Sequence, residues 1–202
     1  NENNVLTDFF NTYIYDKNRE FYLTNSPAMD ILISSNLERL LYIITNNNEV
    51  LVSELMANLK ETGKFTLPKE YHHKLDEFLS YSVSKEETVE AINNCYQKYN
   101  YLIDPHTAVG YKAYDVLKDK LSGKTVVVST ASPFKFVETV NEVFKYDDED
   151  IKLIEKIAST ASLEVPSILS DIYNFEYDKV IWKKEEMESN LRKLIGEIDE
   201  NC

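Results

Sequence analysis

The sequence predicts a helix-rich α/β fold. Three observations carry that reading. Apolar residues recur at helical spacing along most of the 202 residues. Helix-start signals punctuate those stretches, the clearest being Ser84-Lys-Glu-Glu87 and Asp104-Pro105. One short β-branched run, Thr125–Val128, reads as a buried strand that closes on two hydroxyls, Ser129 and Thr130, just before a helix start at Pro133. In an open α/β sheet, ligands sit where the carboxyl end of a strand turns into a helix. That junction is therefore the candidate site.

The elements follow in order. A short helix or turn is expected over Val5–Tyr13, then an extended stretch over Glu20–Leu23. Leu37, Leu40, Leu41 and Ile44 mark a helix from Asn36 to Thr45, broken by Asn46–Asn48. Ser53 is a candidate cap for a helix running towards Thr62, with Gly63 as its stop. Glu77–Val83 alternates apolar and polar residues, as a strand does. After the capping box, Val89, Ile92, Tyr96 and Tyr99 form one stripe. The helix from Pro105 is expected to bury Val109, Ala113, Val116 and Leu117. Ser122-Gly123 turns the chain into the 125–128 strand, and Val137, Val140 and Phe144 face the next helix inward. From Asp147 the chain is acidic and helical, carries Ile151, Ile154 and Ile157, breaks at Pro166, and ends in a helix over about Glu185–Ile198. Three or four strands are expected in all, within one domain or part of one.

Composition narrows the function. A net charge of -13 disfavours nonspecific binding to nucleic acid or anionic membrane. No window holds the roughly 20 apolar residues of a membrane span. Two cysteines, Cys95 and Cys202, are too few for a disulfide framework and point to a reducing, cytoplasmic setting. Cys95 reads as a small buried hydrophobe. His72, His73 and His106 show no metal-ligand spacing, so no metal site is expected. The nucleophile elbow Gly-x-Ser-x-Gly is absent. Only four glycines occur, and backbone cradles for phosphate need glycine, so the chain holds no phosphate loop of its own. The chain opens on Asn1, which suits a fragment or a processed product.

At the strand-turn-helix junction two readings stand side by side. Ser129 and Thr130 can simply satisfy the turn, with Ser132 as N-cap before Pro133. Alternatively, two hydroxyls beside a helix N-terminus can hold a heteroaromatic ring nitrogen or a phosphate. Spacing alone favours the first.

Four stretches shift the balance: Asn1-Glu-Asn-Asn-Val-Leu, SPAMDILISSNLERLL from Ser26 to Leu41, IDPHTAVGYKA from Ile103 to Ala113, and STASPFKF from Ser129. In this order they resemble the C-terminal part of threonine synthase. That family consists of pyridoxal-phosphate enzymes of fold type II, similar to the tryptophan synthase β subunit. The resemblance covers roughly residues 1–145, which it places in the pyridoxal-phosphate domain, and covers the acidic helical tail 146–202 weakly. It implies conversion of O-phospho-L-homoserine and water to L-threonine and phosphate. It implies Thr130 as partner of the pyridine nitrogen, with Ser129 as runner-up. Lys135, Asp104, His106, Thr107, Asn36 and Arg39 fall on family motifs as substrate-contact or pocket-wall candidates. Asp104, His106 and Thr107 read first as a cap and packing element near the cofactor wall, and Arg39 as an ion-pair partner, with Asp30 the candidate acid. Lys135 reads equally well as a solvent-facing lysine.

Two positions depart from the family pattern: Ser132 stands where His is frequent, and Asn4 where Asp is. A larger expectation follows from the family's layout. Its Schiff-base lysine and glycine-rich cradle precede the matched region, so the partner implied is the N-terminal half of the same polypeptide, and the 202 residues alone are expected to be inactive. Two rivals remain: a related pyridoxal-phosphate lyase with another substrate, and a non-catalytic interaction domain of the same ancestry.

Overall fold

The computed structural model describes residues 1–174 and 180–199. The chain divides into two compact units, Asn1–Val165 and Pro166–Cys202.

Within the first unit, three helices close around an aromatic centre. α1 (Val5–Thr12) turns Val5 and Phe9 inward. α2 (Ser35–Ile44) contributes Leu37, Leu41 and Ile44, and α3 (Glu49–Thr62) contributes Val52, Leu55 and Leu59. Each set sits at spacings of three and four, so one stripe per helix is apolar and is driven out of water. Two short strands, β1 (Ile14–Asp16) and β2 (Lys64–Thr66), pair antiparallel and set Tyr15 opposite Phe65. Their rings stack at 5.4 Å, and Phe9 meets them edge-on at 5.9 and 5.6 Å. The buried Tyr15 hydroxyl is satisfied: it donates to the Leu32 carbonyl at 3.0 Å and accepts the Ser34 N–H at 3.0 Å.

The cap of α3 differs from the expectation. Asn48, not Ser53, accepts the Leu51 N–H, so the helix starts one turn earlier and Ser53 lies inside it. Gly63 does end it, at φ +80°. Asn18 occupies the space a Cβ would need there, and its amide donates to the Thr62 carbonyl at 2.9 Å.

The other half of this unit is helical. The capping box forms at α4 (Lys85–Tyr99), with Ser84 and Glu87 reciprocally bonded. Its buried face is Thr88, Ala91, Ile92 and Cys95: of the expected stripe Ile92 is buried, Val89 and Tyr96 are half-buried, and Tyr99 is 56% exposed. The face with the smaller side chains is the one that admits the close approach of α5 (Pro105–Leu117). α5 buries Pro105 to Val109, but beyond the second turn its expected inner face is only partly covered: Ala113 and Leu117 are half-buried and Val116 is 44% exposed. Ser132 accepts the Phe134 N–H and opens a 3-10 turn, Pro133–Phe136, that leads into α6 (Val137–Phe144). α7 (Asp150–Ala161) buries Leu153, Ile154, Ile157, Ala158 and Ala161. In the second unit, Pro166 precedes α8 (Ser167–Asn174), and a 3-10 turn at Lys184–Glu186 leads into α9 (Met187–Asp199). Cys202 lies outside the described residues. No described helix is long and apolar enough to cross a membrane.

The strand expectations need correcting. Among the described residues only β1 and β2 are strands. Glu77–Val83 is irregular and follows a 3-10 turn at Lys69–Lys74. Thr125–Val128 pairs with nothing described, and Val126 and Val128 are 82% and 71% exposed. A strand exists through its ladder to a neighbour, and a local apolar run cannot supply that neighbour.

Scarce glycine shows in the helix ends. α1, α4, α6 and α7 stop in the left-handed region on Tyr13, Asn100, Lys145 and Ser162. For a residue with a Cβ that conformation costs about 1–2 kcal/mol. Exchanging Lys145, exposed at the end of α6, for glycine is expected to stabilise the chain by about 1 kcal/mol in urea unfolding. Gly63→Ala is expected to do the opposite by about 2 kcal/mol or more, because backbone strain and the clash with Asn18 add.

Candidate functional site

The site is organised by a carboxylate with no exposure to water. Asp104 is the N-cap of α5 and is 0% exposed. Its Oδ1 accepts the backbone N–H groups of His106 at 2.9 Å and Thr107 at 3.3 Å, and faces His106 Nδ1 at 3.0 Å. Its Oδ2 accepts the Thr107 hydroxyl. Pro105 at the first helical position has no N–H to satisfy, so the carboxylate serves the next two donors.

His106 extends the cluster. Its Nε2 lies 2.9 Å from the backbone nitrogen of Ala28, 78 residues away in sequence. A backbone N–H can only donate, so Nε2 carries the lone pair and the ring proton sits on Nδ1, pointing at Asp104. The imidazole is thus neutral, and the Asp104 contact is a hydrogen bond rather than a pair of opposite charges. Phe136 packs on the ring, with centroids 4.4 Å apart.

Ala28 belongs to the 3-10 turn Pro27–Met29. Asp30 holds that turn from below: its Oδ1 accepts the Asn1 side-chain amide at 2.8 Å, the Asn3 amide at 3.2 Å and the Thr24 hydroxyl at 2.7 Å. Its Oδ2 accepts the Thr24 N–H at 2.9 Å. The expected Asp30–Arg39 pair does not form, because Asp30 is committed here. Arg39 donates instead to Asn36 on the same exposed face of α2. These two line a cleft of about 700 Å³ with Tyr42 and Glu49, and it shares no residue with the Asp104 cluster.

The opposite edge of the cluster reaches the hydroxyl turn. Thr107 Oγ1 lies 3.5 Å from Ser129 Oγ. Thr107 has one hydroxyl proton, and the carboxylate of Asp104, which can only accept, takes it. At 3.5 Å Ser129 Oγ is a neighbour beyond ordinary O–H···O reach, not a second partner for that proton. Thr130 is exposed and its hydroxyl has no partner among the described residues. Lys135 is exposed and rests its Nζ 5.4 Å above the Phe136 ring. Asp104, His106, Thr107 and Ser129 thus stand together with Thr130 alongside, while Asn36 and Arg39 stand apart.

No cluster of metal ligands forms among the described residues. His72 is stacked on Tyr13 at 3.6 Å and sits 2.8 Å from the Leu67 carbonyl. Burial pushes the Cys95 thiol up, away from the reactive thiolate. Ala28 and Phe136 were not foreseen: a backbone donor leaves no signature in the sequence, and Phe136 reads as one more core aromatic.

Residues 107–177 match the family model for the C-terminal region of threonine synthase. Threonine synthase of Saccharomyces cerevisiae is 36% identical over 185 residues, 81% of this chain and 36% of that protein. A crystal structure titled as pyridoxal-phosphate-bound threonine synthase from Brucella melitensis superimposes with a TM-score of 0.77 at 29% identity, covering 95% of this chain and 38% of that one. The chain matches the C-terminal portion of threonine synthases. It is also 39% identical to threonine synthase-like 1 of Pongo abelii over 147 residues, 72% of this chain and 20% of that protein. The chain therefore spans about a fifth to two fifths of the length of these relatives.

Within this chain, three of the four stretches that carry the resemblance meet in one network, from Asn1 and Asn3 through Asp30, the Ala28 N–H and His106 to Asp104 and Thr107, and Ser129 of the fourth lies 3.5 Å from its edge. Removing its centre strands several donors at once. Asp104→Ala is expected to lower stability by about 3 kcal/mol, and Asp104→Asn, which keeps one acceptor, by about half as much. Urea unfolding of the 202-residue chain measures both; a loss below about 0.5 kcal/mol for Asp104→Ala would show that the cluster is not structural.

Proposed function

We propose that this chain supplies one wall of a pyridoxal-phosphate pocket in a threonine synthase that converts O-phospho-L-homoserine and water to L-threonine and phosphate. The observation that carries this is the hydroxyl turn beside the buried Asp104–His106–Thr107 cluster: Thr130 is exposed and its hydroxyl is uncommitted among the described residues. A pyridine nitrogen needs such a donor. A neutral hydroxyl leaves that nitrogen unprotonated, where a carboxylate would hold a proton on it. The residues present fit one side of the cofactor. They do not include its phosphate cradle, because nothing approaches Gly110 or Gly123 within 4 Å of where a Cβ would stand, and Gly63 is a helix end packed on Asn18.

Bound pyridoxal phosphate would stabilise the carbanions formed on the amino-acid substrate. This chain's own residues hold and orient. Thr130 would fix the ring nitrogen, Ser129 the backbone beside it, and the Asp104–His106–Thr107 cluster the wall behind. Lys135 is available to an anionic group at the pocket rim. Residues 1–145 would form part of the cofactor domain and 146–202 an acidic helical tail. The cradle and the covalent lysine would come from the remaining threonine synthase polypeptide, with a cytoplasmic setting.

A second reading is a related pyridoxal-phosphate lyase with another substrate. The likeness to threonine synthase-like 1 favours it as much as the yeast likeness favours the first. The whole protein given O-phospho-L-homoserine separates them: the first reading expects phosphate and threonine in equal amounts, the second neither.

The 202 residues alone are expected to release no phosphate from O-phospho-L-homoserine. After pyridoxal phosphate and borohydride, mass spectrometry is expected to find no stoichiometric pyridoxyl adduct at a single lysine. One specific, complete adduct would refute the division of labour proposed.

A further inference from the structure

α2 and α3 each bury one apolar stripe and leave the other side to water, where polar residues are expected. The outer sides are not polar throughout. Tyr42 is 42% exposed, Ile43 67% and Val50 64%. Tyr42 and Ile43 line the cleft of about 700 Å³, and Val50 lines a groove that shares Glu49 and Ser53 with it. The three side chains therefore border one continuous surface. Single apolar residues on a surface need no cause, but a patch of them rimmed by charge marks a contact.

The charges on this surface are uncommitted. Arg39, Glu38 and Glu49 line the cleft, and Glu54 the groove. None of the four joins an ion pair among the described residues, and Arg39 bonds the neutral Asn36 alone. The hairpin that sets the two helices is firmly built. Asn47 and Asn46 donate their backbone N–H groups to the carbonyls of Tyr42 and Ile43, at 2.8 and 3.1 Å. Both asparagines lie in the left-handed region, at φ 61° and 56°, and Asn48 then caps α3. A surface fixed in this way loses little freedom when something binds to it.

The lining selects among occupants. A free anion meets the carboxylates of Glu38 and Glu49, and a metal cation meets the Arg39 guanidinium. From Ser35 to Ile43 the lining runs about 12 Å along α2, the reach of three to four extended residues. A second copy would bring its own net charge of -13 against an already acidic rim. The relatives point to another occupant. The chain spans 36% of the yeast threonine synthase and 38% of the Brucella one, so more than half of such a polypeptide lies outside the matched region. Asn36 and Arg39 belong to the stretch from Ser26 to Leu41 that carries the resemblance, yet they stand apart from the Asp104 cluster.

We infer that the α2–α3 cleft is the docking surface for a segment of the remaining polypeptide. That segment lays an apolar side chain on Tyr42, Ile43 and Val50. It offers a carboxylate to Arg39, whose planar guanidinium can hold it through two parallel hydrogen bonds. Its lysine or arginine side chains face Glu38, Glu49 and Glu54. This surface is distinct from the cofactor wall, and its use does not depend on which reaction the whole protein performs.

The test compares the whole polypeptide with the 202-residue chain. Hydroxyl radicals are expected to label Tyr42 readily in the 202-residue chain, and that labelling is expected to be lost in the whole polypeptide. With p-benzoylphenylalanine in place of Ile43, illumination of the whole polypeptide is expected to give an adduct with a peptide from outside the 202 residues. Arg39→Glu is expected to leave the unfolding midpoint of the 202-residue chain unchanged and to restore Tyr42 labelling in the whole polypeptide. Equal labelling of Tyr42 in both chains, high or low, overturns the inference. So does the absence of an adduct, an adduct confined to the 202 residues, or one joining two copies. Protection that arises only when a free amino acid is added makes the cleft a small-molecule site and overturns it too. Protection that persists in Arg39→Glu overturns the charge pairing and with it the assigned occupant. Labelling of the parent needs no substitution, so it decides the matter if a variant fails to fold. A whole polypeptide that protects Tyr42 but releases no phosphate from O-phospho-L-homoserine keeps the docking surface and removes the proposed reaction.

Discussion

One buried carboxylate organises the functional half of this chain. Asp104 ends an extended segment, starts α5, fixes the His106 tautomer and sets the direction of the Thr107 proton. A charge without exposure is tolerable only when it is fully surrounded by donors. Here those donors come from its own helix start, and two of their side chains reach outward to opposite places. His106 reaches the Ala28 turn, and Thr107 lies beside Ser129. The same group that begins a helix therefore sits between two loops that are distant in sequence.

Much of this was legible beforehand wherever the cause is local. Ser84-Lys-Glu-Glu87 forms its capping box, Asp104-Pro105 its cap, Ser132-Pro133 its turn, and Gly63 its stop, because each depends on atoms within a few residues. The apolar spacing of α2 and α7 also identifies their buried faces, Leu41 and Ile157 among them. Where two local causes compete, the reading slips: Asn48 caps α3 ahead of Ser53 because the helix continues one turn further back.

What was not legible is what depends on partners. Thr125–Val128 has every local mark of a buried strand and none of the ladder, because a ladder is a property of two segments. The buried face of α4 keeps Ile92 of the expected stripe but turns to Thr88, Ala91 and Cys95, because the approach of α5 decides which side is covered. The site shows the same limit. Each of its polar residues lies in a recognisable stretch, yet the Ala28 backbone donor that locks His106 has no letter of its own. Asp30 looked like a partner for Arg39 until Asn1, Asn3 and Thr24 occupied it.

The unpaired run has a consequence for the chain as a material. Thr125–Val128 is uncharged and β-branched throughout, and both of its edges are open among the described residues. Segments of that kind template strand addition between copies, the first step towards cross-β association. Lys124 stands immediately before it and Lys135 soon after its end, a spacing of like charges that acts as a gatekeeper against stacking in register. Shelf life in concentrated solution is thus tied to four residues that lie outside the buried core.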